Sequence, residues 1–155
     1  MSVAEATENK WIRDNACKRF DFLHRVENMV GEGTFDTFGI IMSQQMWIEI
    51  KAPIEPARHG TRLFSGNHEF TQGQKNFALS ILRAGGLCWA FIGTNLRQML
   101  IPGMVIEKAN EMTVDQLVMQ SIWHREKGHK DLRQSGMLLR HALAQRDPPK
   151  YWDLE

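Results

Sequence analysis

The chain predicts a mixed α/β domain: a sheet flanked by helices, with further helical material at the C-terminal end. Three observations carry this. Residues 20–51 hold three short apolar runs that alternate with polar residues and are separated by turn formers. Residues 71–93 hold an amphipathic helical run, a Gly85-Gly86 stop and then the apolar run Leu87 to Gly93. Residues after 104 return to helical spacing.

Taken in order, residues 4–16 form a helix with Ser2 or Thr7 as its cap and Trp11 and Ile12 as apolar anchors. Phe20 and Phe22 alternate with charged neighbours and lead through Leu23 and Arg25 to Glu27, a first strand. Gly31-Glu32-Gly33 is a turn signal, residues 35–42 a second strand, 43–45 a turn and 46–51 a third strand, ended by Pro53 and Pro56. Residues 54–70 show no period, and a loop of that length in a compact domain is often functional. Thr71 caps the next helix, whose inner face is Phe77, Ala78, Ile81 and Leu82. Residues 87–93 and 97–101 read as a fourth and a short fifth strand, and 114–127 and 130–145 as two amphipathic helices closed by Pro148-Pro149.

At 155 residues the chain can bury a core without disulfide or metal staples. A net charge of +1 gives no global attraction to nucleic acid, so any such binding must use local basic patches. Cys17 and Cys88 are isolated, without zinc-ligand spacing, which fits a reduced, intracellular setting. The N-terminus has no apolar run of signal-peptide type, and no 18-residue apolar stretch is present to span a membrane.

The chemistry concentrates in Trp47-Ile48-Glu49-Ile50-Lys51. Strand side chains alternate, so Glu49 and Lys51 share one face while Ile48 and Ile50 enter the opposite layer. A hairpin in which Met42 pairs with Gln45 sets Asp36 opposite Lys51 and diagonal to Glu49 on that same face. A Glu-x-Lys on a strand is ordinarily a solvated face. With Asp36 added, two carboxylates beside a lysine suit a hard divalent cation and phosphodiester hydrolysis.

The stretches His24-Arg25-Val26-Glu27-Asn28, Gly31-Glu32-Gly33-Thr34-Phe35-Asp36 and Trp47 to Lys51 resemble the PD-(D/E)XK nuclease superfamily. Among its members they look most like the small virus-type replication-repair (VRR-NUC-like) nucleases found in phages. The resemblance continues through His68-Glu69-Phe70-Thr71-Gln72-Gly73-Gln74 and the helix and strand that follow, over roughly residues 8–103. It implies a restriction-endonuclease-like core over residues 1–103, a helix, three-stranded meander, helix and strand, with residues 104–155 as a helical extension of the same domain. It also implies an intracellular deoxyribonuclease using Mg²⁺ or Mn²⁺, active in phage or bacterial DNA processing, repair or recombination and leaving 5′-phosphate and 3′-hydroxyl ends.

By the same resemblance, Asp36 and Glu49 bind metal, the Ile50 main-chain carbonyl adds a ligand, Lys51 is the catalytic lysine and Gln74 borders the site. The chain departs from the family at Phe35, where a proline usually precedes the aspartate. Gln74 also completes a capping box with Thr71, a role compatible with the first. Glu8 is the candidate third acid, with Glu5 in competition.

Arg58, Arg62, His68 and Lys75 flank the proposed site and are candidate contacts to DNA phosphates, with RNA as the alternative substrate. A second basic cluster runs from His124 to Arg133. The apolar stripes of the last two helices either pack on the core or form a homodimer interface. Two rivals to the enzyme reading are a non-catalytic nucleic-acid-binding or regulatory module on the same fold and an assembly factor built on the terminal helices.

Overall fold

The computed structural model describes residues 1–26, 33–128 and 132–146, without the side chains of 132 and 133. A six-stranded mixed sheet forms the middle layer, in the order β1 (Phe22–Arg25), β2 (Thr37–Ile41), β3 (Gln44–Lys51), β4 (Leu87–Gly93), β5 (Arg97–Pro102) and β6 (Trp123–Glu126). Every neighbouring pair is antiparallel except β3 and β4, which run parallel. The parallel step needs a crossover, and α2 (Gln72–Arg83) supplies it.

The alternation in β3 divides the core in two. Met46, Ile48 and Ile50 join Phe91, Trp89 and Leu100 beneath α1 (Val3–Asn15) and α5 (Leu132–Leu143), through Ile12, Leu139 and Leu143. On the other face Ala90, Ile92, Met99 and Ile101 lie beneath α2, α3 (Ile106–Ala109) and α4 (Val114–Gln120), packed with Phe35, Phe64, Phe70, Ala78 and Leu117. The resulting architecture is α/β, with helices on both faces of a mixed sheet.

Local chemistry explains the boundaries. Ser2, one of the two candidate caps, closes α1 with a full capping box to Glu5. At the other end of α2, Gly85 at φ +78 permits the pair of bonds from Gly85 N to Leu82 O and from Gly86 N to Ile81 O, which ends the helix. The β2–β3 hairpin turns on Met42 and Ser43, both at positive φ (52° and 64°), so Ile41 pairs with Gln44. Asp21 Oδ1 accepts the Met42 N–H at 3.2 Å and supports this turn. The observed register is therefore displaced by two from the one read in the sequence. An even displacement leaves every side chain on its expected face.

The C-terminal third differs more. The helix expected over residues 114–127 stops at Gln120, and residues 123–126 instead form β6, pairing with β5. Strand pairing wins because Trp123 is buried and ring-stacked with Phe91, and Arg125 lies over the Trp11 ring at 4.4 Å, while His124 and Glu126 face out. The short α3 was not expected. The stretch 54–70 holds one 3-10 turn, Gly66–His68, and an isolated bridge from Arg62 to Thr113. Cys17 and Cys88 are free thiols, and no helix among the described residues is long and apolar enough to cross a membrane.

Candidate functional site

The C-terminal end of β3 carries Glu49 and Lys51 on the α2 face of the sheet, each only 5% exposed. Thr37 pairs with Ile48, so one further step of the same register sets Asp36 opposite Glu49 rather than opposite Lys51. The loop before Asp36 is held against α2 by a backbone contact. Gly33 (φ +105) touches Gly73, and a Cβ on Gly33 would meet the Gly73 carbonyl carbon at 2.3 Å. Both the conformation and the space require glycine at position 33.

Glu49 accepts a 2.6 Å hydrogen bond from Gln74 Nε2 on Oε1, and Lys51 Nζ lies 3.6 Å from the same oxygen. The Glu49 Oε2 atom is buried without a hydrogen-bond partner of good geometry, although the Asp36 main chain is close enough to stabilise the carboxylate. Gln74 both touches Glu49 and completes its capping box, because its Oε1 also accepts the Thr71 N–H at 3.0 Å. Asp36 Oδ1 accepts from Thr37 Oγ1 at 3.1 Å, and Asn9 Nδ2 of α1 supports that hydroxyl at 3.3 Å.

Electrostatics follow from this crowding. Burial, then repulsion from the Asp36 carboxylate, pushes the Glu49 carboxyl up to about 8, and the Lys51 ammonium and the Asp36 main-chain N–H only partly offset them. Asp36 is also raised, mainly by burial, with the Thr37 hydrogen bond opposing the shift and Glu5 adding to it. A buried and a half-buried carboxyl that resist ionisation together form a site that a cation relieves.

Lys51 is aimed by groups that the sequence did not single out. Its Nζ donates to the Glu69 carbonyl at 3.3 Å and sits 5.1 Å from the centre of the Phe70 ring. The buried Asn110 fixes that peptide from behind. Its Oδ1 accepts Phe70 N–H at 2.8 Å and its Nδ2 donates to Phe70 O at 2.9 Å. A lone asparagine after a short helix carries no sequence signal for such a clamp. Asn110→Ala leaves both Phe70 backbone groups unpaired in the core and is expected to cost about 2–3 kcal/mol in chemical denaturation. A loss below roughly 0.5 kcal/mol would show that the clamp is not holding the segment.

The remaining candidates separate. Glu8 is not brought to this site. It lies on the opposite face, against Gly93, where it accepts from Gln98 Nε2 and Lys127 Nζ. Glu5, one turn nearer the start of α1 on the same helix face, is close enough to the two acids to raise both, although its Oε2 is engaged by the Ser2 N–H in the capping box. Ile50 buries its side chain in the α1–α5 layer and leaves only its main chain to the site.

Arg62 pairs with Glu69 at 3.5 Å, one bond removed from Lys51, and Lys75 follows Gln74 in the first turn of α2. His68 ends the 3-10 turn just before Glu69. Arg58 sits away from the acids, in a hollow with His59, Arg97 and Thr113 near the start of α4. In the second basic cluster, Arg125 and Lys127 turn inward to Gln98 and Glu8. His129 and Lys130, like Glu27, lie outside the described residues, as does the Arg133 side chain.

Among the described residues no three His, Cys, Asp or Glu side chains converge to form a metal-binding cluster. Two carboxylates with an unpartnered oxygen still suit Mg²⁺, which commonly takes one or two protein carboxylates and fills its shell with water and phosphate oxygens. Compared with known proteins, the chain matches no family model, and no curated protein is significantly similar to it.

Proposed function

We propose that the chain is a metal-dependent nuclease that hydrolyses DNA phosphodiester bonds, built on a restriction-endonuclease-like core. The observation that carries this reading is the buried Glu49, with its unpartnered oxygen, opposite Asp36 and beside Lys51. The order helix, antiparallel meander, crossover helix and parallel strand supports it.

Asp36 and Glu49 would hold the cation, with the Ile50 carbonyl beside them. A bound Mg²⁺ or Mn²⁺ supplies Lewis-acid stabilisation of charge on the phosphate and lowers the pKa of water. Gln74 holds Glu49 by its Oε1 and leaves Oε2 available. Lys51 places a fixed positive charge beside the carboxylates, where it stabilises the charge developing on phosphate and orients water. The Glu69 carbonyl and the Phe70 ring hold its ammonium in place. The products carry 5′-phosphate and 3′-hydroxyl ends.

The test is cleavage of supercoiled, linear, single-stranded and four-way-branched DNA with Mg²⁺ or Mn²⁺. Lys51→Ala is expected to slow cutting by about 10²–10³-fold, and a chelator to stop it. Cutting that survives Lys51→Ala would sink this assignment of the site. Tight DNA binding with no cutting by the wild type would favour a non-catalytic binding module.

A further inference from the structure

An aromatic ladder crosses the sheet beside the carboxylate pair. His24 stacks on Phe22 at 5.7 Å between ring centres, and Phe22 approaches Phe38 at 6.5 Å. Phe38 meets Trp47 at 5.2 Å, and Trp47 meets Phe77 of α2 edge-on at 5.3 Å. The register explains why these rings share a face, since His24 lies opposite Phe38 and Phe38 opposite Trp47. The ladder is half-buried at its α2 end and open at the sheet edge, where Phe22 is 48% exposed and Phe20, just before the strand, is 92% exposed.

The exposed end is also basic. Lys18, Arg19 and His24 surround these rings in sequence, and Arg19 lies over the Phe20 ring at 5.6 Å. Arg25, opposite Thr37, points to the other face of the sheet but is close enough to Asp36 to act on its charge. The acid in this stretch, Asp21, is already committed to Arg140. Antiparallel pairing places Arg25 at the Asp36 end and Phe22 at the hairpin end. The strip therefore runs from the edge toward the acids over about 13 Å, four strand steps.

We propose that this face of β1 and β2 binds single-stranded DNA, its bases stacking on Phe22 and Phe38 and its phosphates meeting Arg19, so that the strand is led to Asp36 and Glu49. Rings with exposed faces beside cationic side chains are what an unpaired strand requires; a duplex hides its base faces. Pairing of β1 with a second copy is disfavoured, because it would bring the same cations together on a four-residue edge. The delivery of the strand to the acids rests on the nuclease reading, whereas the stacking surface does not.

The test is fluorescence anisotropy on the full chain with labelled oligothymidylate of about 16 nucleotides, against duplex DNA of the same length, with chelator present to prevent cutting. The wild type is expected to prefer the single strand, and Phe22→Ala to weaken that binding by about 5- to 150-fold. Phe22→Tyr should restore it, and Arg19→Ala should flatten its salt dependence. Unchanged affinity in Phe22→Ala, a preference for duplex, or tighter binding of oligouridylate would each overturn the proposal. Loss of a dimer in Phe22→Ala, seen by size exclusion, would assign the face to self-association instead. Added Mg²⁺ separates the two readings. Single-strand binding without cutting removes the nuclease and leaves this surface, and duplex cutting indifferent to Phe22 does the reverse.

Discussion

Glu49→Gln should abolish cation-dependent cleavage and at the same time make the metal-free protein more stable above neutral pH. The carboxyl titrates near 4.5 in a free chain but near 8 when folded, because burial and Asp36 disfavour its ionised form. Below pH 4.5 both states hold the proton and there is no penalty. Between the two values the unfolded chain releases it while the fold retains it, so stability falls as pH rises, by up to about 1.4 kcal/mol per unit. Above 8 the loss levels off, on the order of a few kcal/mol in total.

Asp36, raised in the same direction, adds to this slope. Glutamine keeps a hydrogen-bonding group beside Gln74 and has no proton to lose, so the variant should be flatter across the same window. Mg²⁺ should raise the melting temperature of the wild type at pH 8 and leave the variant unmoved. Parallel pH profiles for the two metal-free proteins would show that Glu49 is not held as described.

Glu8→Ala should have the opposite signature, a large loss of stability with the Mg²⁺ response intact. The Glu8 carboxylate is 4% exposed and bridges Gln98 and Lys127, two elements away from the acids of the site. Removing it strands the buried Gln98 amide, whereas Lys127, about one-third exposed, can turn to water. The expected cost is therefore about 2–3 kcal/mol, below the range for a wholly buried pair. Denaturant titration with and without Mg²⁺ measures both effects. A stable Glu8→Ala protein that had lost its Mg²⁺ shift would return Glu8 to the metal.

What could be read from the sequence was set by local chemistry. The Thr71–Gln74 cap, the Gly85-Gly86 stop and the apolar run from Leu87 to Gly93 each specify structure within a few residues, and the elements fall where those signals lie. The juxtaposition of Asp36 and Glu49 tolerated an incorrect hairpin register because side-chain direction depends only on parity. Non-local competition was not legible. Trp123 to Glu126 has a helical period, and only the free edge of β5 and the rings of Trp11 and Phe91 make it a strand. The same holds for Glu8, whose partners Gln98 and Lys127 lie 90 and 119 residues away, and for Asn110, whose partner lies 40 residues away.

The bond between Glu8 and Lys127 spans 119 residues. During synthesis the first helix emerges long before the strand and turn that supply its cation, and Trp11 must likewise wait for Trp123. Until residue 127 has left the ribosome, seating α1 on the sheet would bury the Glu8 carboxylate without its lysine, which disfavours covering the apolar layer of β3 and β4 beneath it. α1 is thus expected to dock late, and a nascent chain exposes until then a sheet face that chaperones can hold.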